Sequence, residues 1–208
     1  MVGTQDLPLF LLSAVLLNIT PGQDTLYILG RSISQGRRAG VLSVLGVITG
    51  CFVHTVAAAL GLSAILATSA SVFMAVKLVG AAYLVYLGIR MLLDRAAGAG
   101  QPTEYTHESA WAIYRAGLLT NILNPKVALF FLAFLPQFVD PSAGSKIVPF
   151  LFLGALFICT GTMWCLVLAW SASAVGRHLS EAGWGASVLR RATGVLFVGL
   201  GVKLAAGK

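Results

Sequence analysis

The chain has 208 residues, 58% of them hydrophobic and only 10% charged, with a formal net charge of +7 and a mean hydropathy of +0.89. Too few polar side chains exist to cover a soluble globule, which leaves a membrane protein. The pI of 9.7 would suit a nucleic-acid partner, but the basic residues are scattered through short segments between apolar runs. That is the pattern of cytoplasmic anchoring.

A hydrocarbon core requires roughly 20 apolar residues per helix. Six runs qualify, at about 7–29, 41–67, 70–93, 116–139, 147–173 and 188–206. The reading is an all-α membrane protein of six transmembrane helices. Residues 1–6 carry Asp6 and no Lys or Arg, and no convincing small-residue cleavage site follows, so the first run is expected to be retained rather than removed as a signal peptide.

The first run is interrupted by Asn18-Ile19-Thr20-Pro21-Gly22-Gln23-Asp24, and the fourth by Asn121-Ile122-Leu123-Asn124-Pro125-Lys126. Lipid tolerates Pro, Gly and Asn beside a charge only where protein or a water-filled cavity satisfies the freed backbone groups. Breaks at matching positions in two halves of a chain point to a transporter with a central site at the repeat interface. Superposing Pro21 on Pro125 puts Thr20 on Asn124 and Gly22 on Lys126, and Gly88 on Gly201 puts Ile89-Arg90 on Val202-Lys203. Three spans per half oblige the second half to enter from the opposite side, giving an inverted 3+3 repeat with broken first and fourth helices. The expected division is 1–93, a cytoplasmic linker at 94–112 that is rich in small residues, Gly and Pro, and 113–208.

Basic residues set the orientation. Arg31, Arg37 and Arg38 follow the first run, Arg90, Arg95 and Arg115 flank the linker, and Arg177, Arg190 and Arg191 follow the fifth run. These loops are expected in the cytoplasm and both termini outside, with Lys203 and Lys208 as counter-indications. Cys51, Cys159 and Cys165 all fall within apolar runs, without the spacing of a metal site, and read as small buried hydrophobes. No metal and no cofactor is expected.

Four ionisable residues fall within spans: Asp24, His54, Lys77 and Lys126. Lys77 can snorkel to the headgroups from its position two turns from a helix end. His54 shares a face with Gly46 and Gly50, which suits a packing histidine as well as a proton relay. The Gly46-x-x-x-Gly50 stripe offers a surface for a homo-oligomer or for internal packing. Asp24 and Lys126 each follow a proline that frees carbonyls, so each stands where a helix opens toward a ligand; the alternative is a structural ion pair between the two breaks.

Pro21-Gly22-Gln23-Asp24, Gly36-Arg37-Arg38-Ala39-Gly40, Gly46, Gly50 and His54, then Lys77-Leu78-Val79-Gly80 through Tyr86-Leu87-Gly88, and Asn124-Pro125-Lys126 with Phe134-Leu135-Pro136-Gln137 together resemble the LysE/RhtB family of bacterial amino-acid exporters across nearly the whole chain. One departure is Gln23, where the family usually has a second proline. The resemblance implies export of amino acids or close derivatives across the bacterial inner membrane, in exchange for protons. A zwitterion needs an acceptor for its ammonium and a donor for its carboxylate, which Asp24 and Lys126 could supply. Asn18, Thr20, Asn121 and Asn124 could add neutral hydrogen bonds, while Gly22 permits close approach. A protonatable Asp24 lets proton and substrate compete for one carboxylate, with His54 a second candidate for proton coupling. An enzyme is disfavoured, since neither GxSxG, HExxH nor paired intramembrane carboxylates occur. The remaining alternatives are another small metabolite or cation as cargo, and a structural or sensory membrane protein.

Overall fold

The computed structural model describes residues 3–68, 70–93, 107–140, 142–180 and, in the C-terminal stretch, 191, 194–195, 198–199, 201–202 and 205–206. Helix α1 is Leu7–Ile19, α2 is Gln23–Ala57, α3 is Ser63–Thr68 and α4 is Ala70–Leu93; α5 is Ala110–Ile122, α6 is Pro125–Leu129 and α7 is Ile147–Ser180. A π-helical turn, Ala58–Leu62, joins α2 to α3, and a second, Phe130–Phe134, continues α6 into a 3-10 turn at Leu135–Phe138. The described residues form no β-strand, only an isolated bridge between Thr4 and Val139. By length and composition, Gln23–Ile65 and Ile147–Ala172 can cross a membrane, and the pair Ala110–Ile122 and Pro125–Phe138, bent by 46°, makes a third candidate. The sixth run, linker residues 94–106, the Lys77 and Arg177 side chains, Arg190, Lys203 and Lys208 lie wholly or largely outside the described residues.

Helix α2 is two helical stretches, because Gly36 adopts φ 80°, ψ 179° within it. A Cβ on Gly40 would collide with the Ser32 side chain. Eight residues of straight helix separate such groups by about 12 Å, so the chain folds back at Gly36. Open space surrounds Gly36; glycine is favoured there by its positive φ, not by crowding. This reversal corrects the expectation that Arg31 sits in a loop. The residue is helical and 2% exposed, its guanidinium bonded to Glu108 Oε2 at 2.8 Å and Gln35 Oε1 at 2.7 Å. Burying that charge requires the carboxylate partner. Arg37 and Arg38, helical as well, directly follow the reversal and are exposed.

The two broken helices run antiparallel along their whole length. Gln5 N–H donates to Phe138 O (2.9 Å), Phe10 packs on Phe138 (5.3 Å between centroids), Lys126 reaches Thr20 O, Asn121 reaches Asp24, and Tyr27 Oη donates to Ile113 O (2.7 Å). Arg31 with Glu108 closes the series. Helix association within lipid rests on close packing more than on hydrophobic burial, and here it uses glycine. A Cβ on Gly46 would strike the Tyr114 carbonyl, one on Gly117 would lie 2.8 Å from Ser43 O, and one on Gly50 would lie 2.5 Å from Asn121 Oδ1. The Gly46–Gly50 stripe is therefore occupied by α5. Apolar cores lie on either side of the junction: one includes Phe10, Phe130, Phe131, Phe134, Phe138 and Phe157, the other Ile28, Val44, Val47, Leu168 and Ala169.

Candidate functional site

The site is the point where the two breaks meet. At the first, α1 ends with the Thr20 N–H and hydroxyl both donating to Leu16 O (3.0 and 2.6 Å), Pro21 supplies no donor, and extended Gly22 (φ −156°, ψ −170°) opens α2 without a side-chain cap. At the second, Asn124 caps α6 by accepting the Lys126 N–H on its Oδ1 (3.0 Å), with Pro125 in the first turn, where its missing N–H costs nothing. The Pro125 ring is itself exposed, while Asn124 and Lys126 turn inward.

Each break then supplies what the other lacks. Lys126 Nζ donates to Leu17 O at 3.1 Å and Thr20 O at 2.9 Å, carbonyls that a helix ending at Pro21 leaves without intrahelical donors. Asp24 Oδ2 accepts from Asn121 Nδ2 at 2.9 Å and Asn124 Nδ2 at 3.1 Å. Asp24 Oδ1 is buried with no hydrogen-bond partner among the described residues. Asp24 and Lys126, although neighbours at one junction, do not form an ion pair with each other; each is held by the opposite break's backbone or amides.

Asn18 Nδ2 donates to Thr160 Oγ1 on α7 at 3.1 Å. His54 Nε2 lies 3.3 Å from Asn121 O, and its ring stacks on Phe131 at 5.7 Å. Thr20 and Gly22 contribute backbone, with a Cβ on Gly22 falling 3.1 Å from Lys126 Nζ. A cavity of about 40 Å³ adjoins the junction, with Asp24, Lys126 and Asn18 on its polar side and Leu17, Val47, Ile48, Phe157 and Ile158 on its apolar side. That volume suits a water molecule or two. Cys51, Cys165, Thr25, Val127, Gly161 and Thr162 complete the wall. The contribution of α7 went unread in the sequence, although the small and polar triplet Thr160-Gly161-Thr162 inside an apolar run was a usable signal.

An all-helical chain with apolar helices and a charged, partly buried junction between two helix breaks has the construction of a membrane transporter. The profile of the LysE type translocator family matches residues 15–208, and the chain belongs to that family, whose members translocate substrates rather than catalyse reactions. It is 32% identical over 199 residues to an uncharacterized membrane protein of Vibrio cholerae, covering 96% of each chain. It is 30% identical over 202 residues to the uncharacterized membrane protein YrhP of Bacillus subtilis, covering 91% of this chain and 93% of the relative. The leucine efflux protein of Salmonella typhimurium is 29% identical over 196 residues, covering 94% and 92%. No solved structure matches.

Proposed function

We propose that this chain exports amino acids with small or aliphatic side chains from the cytoplasm in exchange for protons, as an inner-membrane protein of six spans in an inverted 3+3 repeat with both termini outside. The observation that carries the reading is the Asp24 carboxylate: one oxygen is held by the second break, the other is buried with no partner among the described residues, and the side chain lines a largely apolar cavity. A carboxylate so placed accepts either a proton or a substrate ammonium, and competition between the two couples their movements. The antiparallel pairing of the two broken helices supports the inverted repeat, because a two-fold axis in the membrane plane relates its first and fourth spans. The apolar wall and the named activity of the Salmonella relative support an aliphatic side chain.

In this reading Lys126 leaves the Leu17 and Thr20 carbonyls to meet the substrate carboxylate, so loading and the helix contact exclude each other. An amino acid is larger than the cavity, and loading separates the helices around it. The aromatic cluster closes the outer half, and Arg31, Gln35 and Glu108 close the cytoplasmic half; alternating access opens one at a time.

Counterflow in proteoliposomes with labelled leucine, valine, alanine, lysine and glutamate, with and without a pH gradient, tests the proposal. Saturable uptake of the aliphatic members, accelerated by protons on the side that receives the amino acid, is expected. Absence of counterflow for every amino acid would remove the function, and flux indifferent to the pH gradient would remove the antiport. Lys126→Ala should weaken amino acids more than their amides or esters, because only the former present a carboxylate to the ammonium.

A further inference from the structure

Two buried asparagines of the second break converge on one oxygen of the first. Asn121 is 0% and Asn124 2% exposed, and their Nδ2 atoms lie 2.9 and 3.1 Å from the same Asp24 Oδ2. The Asn124 amide orientation is fixed by its surroundings: Oδ1 accepts the Lys126 N–H, which leaves Nδ2 as the group facing Asp24. Asn121 Oδ1 faces the Cα side of Gly50 and is buried without a hydrogen-bond partner among the described residues, so its orientation is set by Asp24 alone: turning the amide over would set its oxygen against the ionised Asp24 Oδ2. Oδ2 thus receives two N–H donors, while Oδ1 is buried with no partner among the described residues, on a side chain that lines the cavity.

We propose that Asn121 and Asn124 are positioning residues that hold Asp24 Oδ2 as a permanent acceptor and so make Oδ1 the carboxylate oxygen that takes up the proton or the substrate ammonium. The inference deepens the export reading and rests on it for the ammonium; the division of the carboxylate is a matter of geometry alone. It also moves both asparagines from substrate contact to support. The other titratable groups around Asp24 are Lys126 on α6, His54 and Cys51 on α2, and Cys165 on α7. Lys126 donates to Leu17 and Thr20 carbonyls, and the His54 ring nitrogen is at Asn121 O. Both thiols line the cavity, and no hydrogen bond from any of these groups reaches Oδ1. Two N–H groups on Oδ2 stabilise the ionised carboxylate, so loss of either one shifts the pH at which Oδ1 is occupied.

The test is Asn121→Leu, which removes one donor while keeping the branched four-atom side chain, and Asn124→Ser, which keeps a capping oxygen for the Lys126 N–H but is too short to reach Asp24. In lipid, the infrared band of the protonated Asp24 carboxyl, identified by its loss in Asp24→Asn, is titrated alongside the pH dependence of counterflow. Each variant should move both midpoints upward by about one pH unit, the effect of losing one charge-assisted donor. Midpoints unchanged in a folded variant, with only the transport rate reduced, would overturn the proposal, since a merely structural role lowers the rate without moving the titration. The infrared titration needs no cargo, so it decides the matter even if no amino acid is carried. Failure of wild-type counterflow alone would count against the export reading and not against the clamp.

Discussion

The two helix breaks solve the same problem by different means. The second caps its helix from within: Asn124 caps α6 with its own side chain, and the Asn124 N–H returns to Asn121 O at 3.0 Å. The first has no side-chain cap at Gly22, and its Leu17 and Thr20 carbonyls depend on Lys126 from the other half. The second break is thus capped by a side chain of its own, and the first by a side chain from the other half of the chain.

The sharpest way to break this comparison is Lys126→Met. It removes the charged donor from two carbonyls at once, and leaving buried acceptors unsatisfied costs about 1–3 kcal/mol each. Transport should be lost and stability lowered by roughly 2–4 kcal/mol, read from denaturant unfolding in detergent. A loss below about 0.5 kcal/mol would mean that water or neighbouring donors already serve the first break. Asp24→Asn should act differently. The new amide oxygen can still accept from Asn121 and Asn124, so folding survives, but the group cannot titrate. Proton-driven export should vanish while exchange without a gradient persists. Full dependence on the pH gradient in this variant would transfer the coupling role away from Asp24.

Much of this junction was legible before any coordinates. Pro21 and Pro125 mark their breaks because proline removes a helix donor in any environment, and a charge within three residues of each names the polar partners. Which partner meets which was not legible, because the pairing is set by the antiparallel crossing. Sequence read Asp24 and Lys126 as substrate ligands, with a mutual ion pair as the alternative; the fold gave Asp24 to two asparagines and Lys126 to two carbonyls. Backbone acceptors carry no side-chain signature, so the second pairing is invisible in the sequence. Arg31 was misplaced for a related reason. An arginine at the end of an apolar run reads as a loop residue until Glu108, distant in sequence, is seen to reach it. The stripe of Gly46 and Gly50 announced a close neighbour, and only the fold identified α5.

Gly22→Ala sharpens the comparison at smaller scale. The extended backbone there is open to any residue, so the only obstacle is a Cβ placed 3.1 Å from Lys126 Nζ and 3.4 Å from its Cε. The flexible lysine end can give way by a few tenths of an ångström, which lengthens its bond to Thr20 O. A destabilisation of about 0.5–1 kcal/mol is expected, together with faster loading if release of Lys126 limits it. A loss comparable to that of Lys126→Met would show that the lysine has no room to adjust.

The smallest effect belongs to Gln23→Pro, which restores the residue usual for the family at this break. Gln23 is the first residue of α2 and is exposed. A proline ring suits the first position of a helix, where the backbone N–H has no intrahelical partner and the fixed φ of about −65° matches helical backbone. Proline also requires an extended residue before it, and Gly22 is extended. The substitution should therefore leave stability within about 0.5 kcal/mol and transport near wild type, measured by the same unfolding and counterflow assays. Glutamine and proline are then interchangeable here because the break is made by Pro21 and Gly22 and completed by Lys126. A severe defect in Gln23→Pro would instead assign the Gln23 side chain or its N–H a part in the open state, and would place the origin of the first break one residue further along the chain.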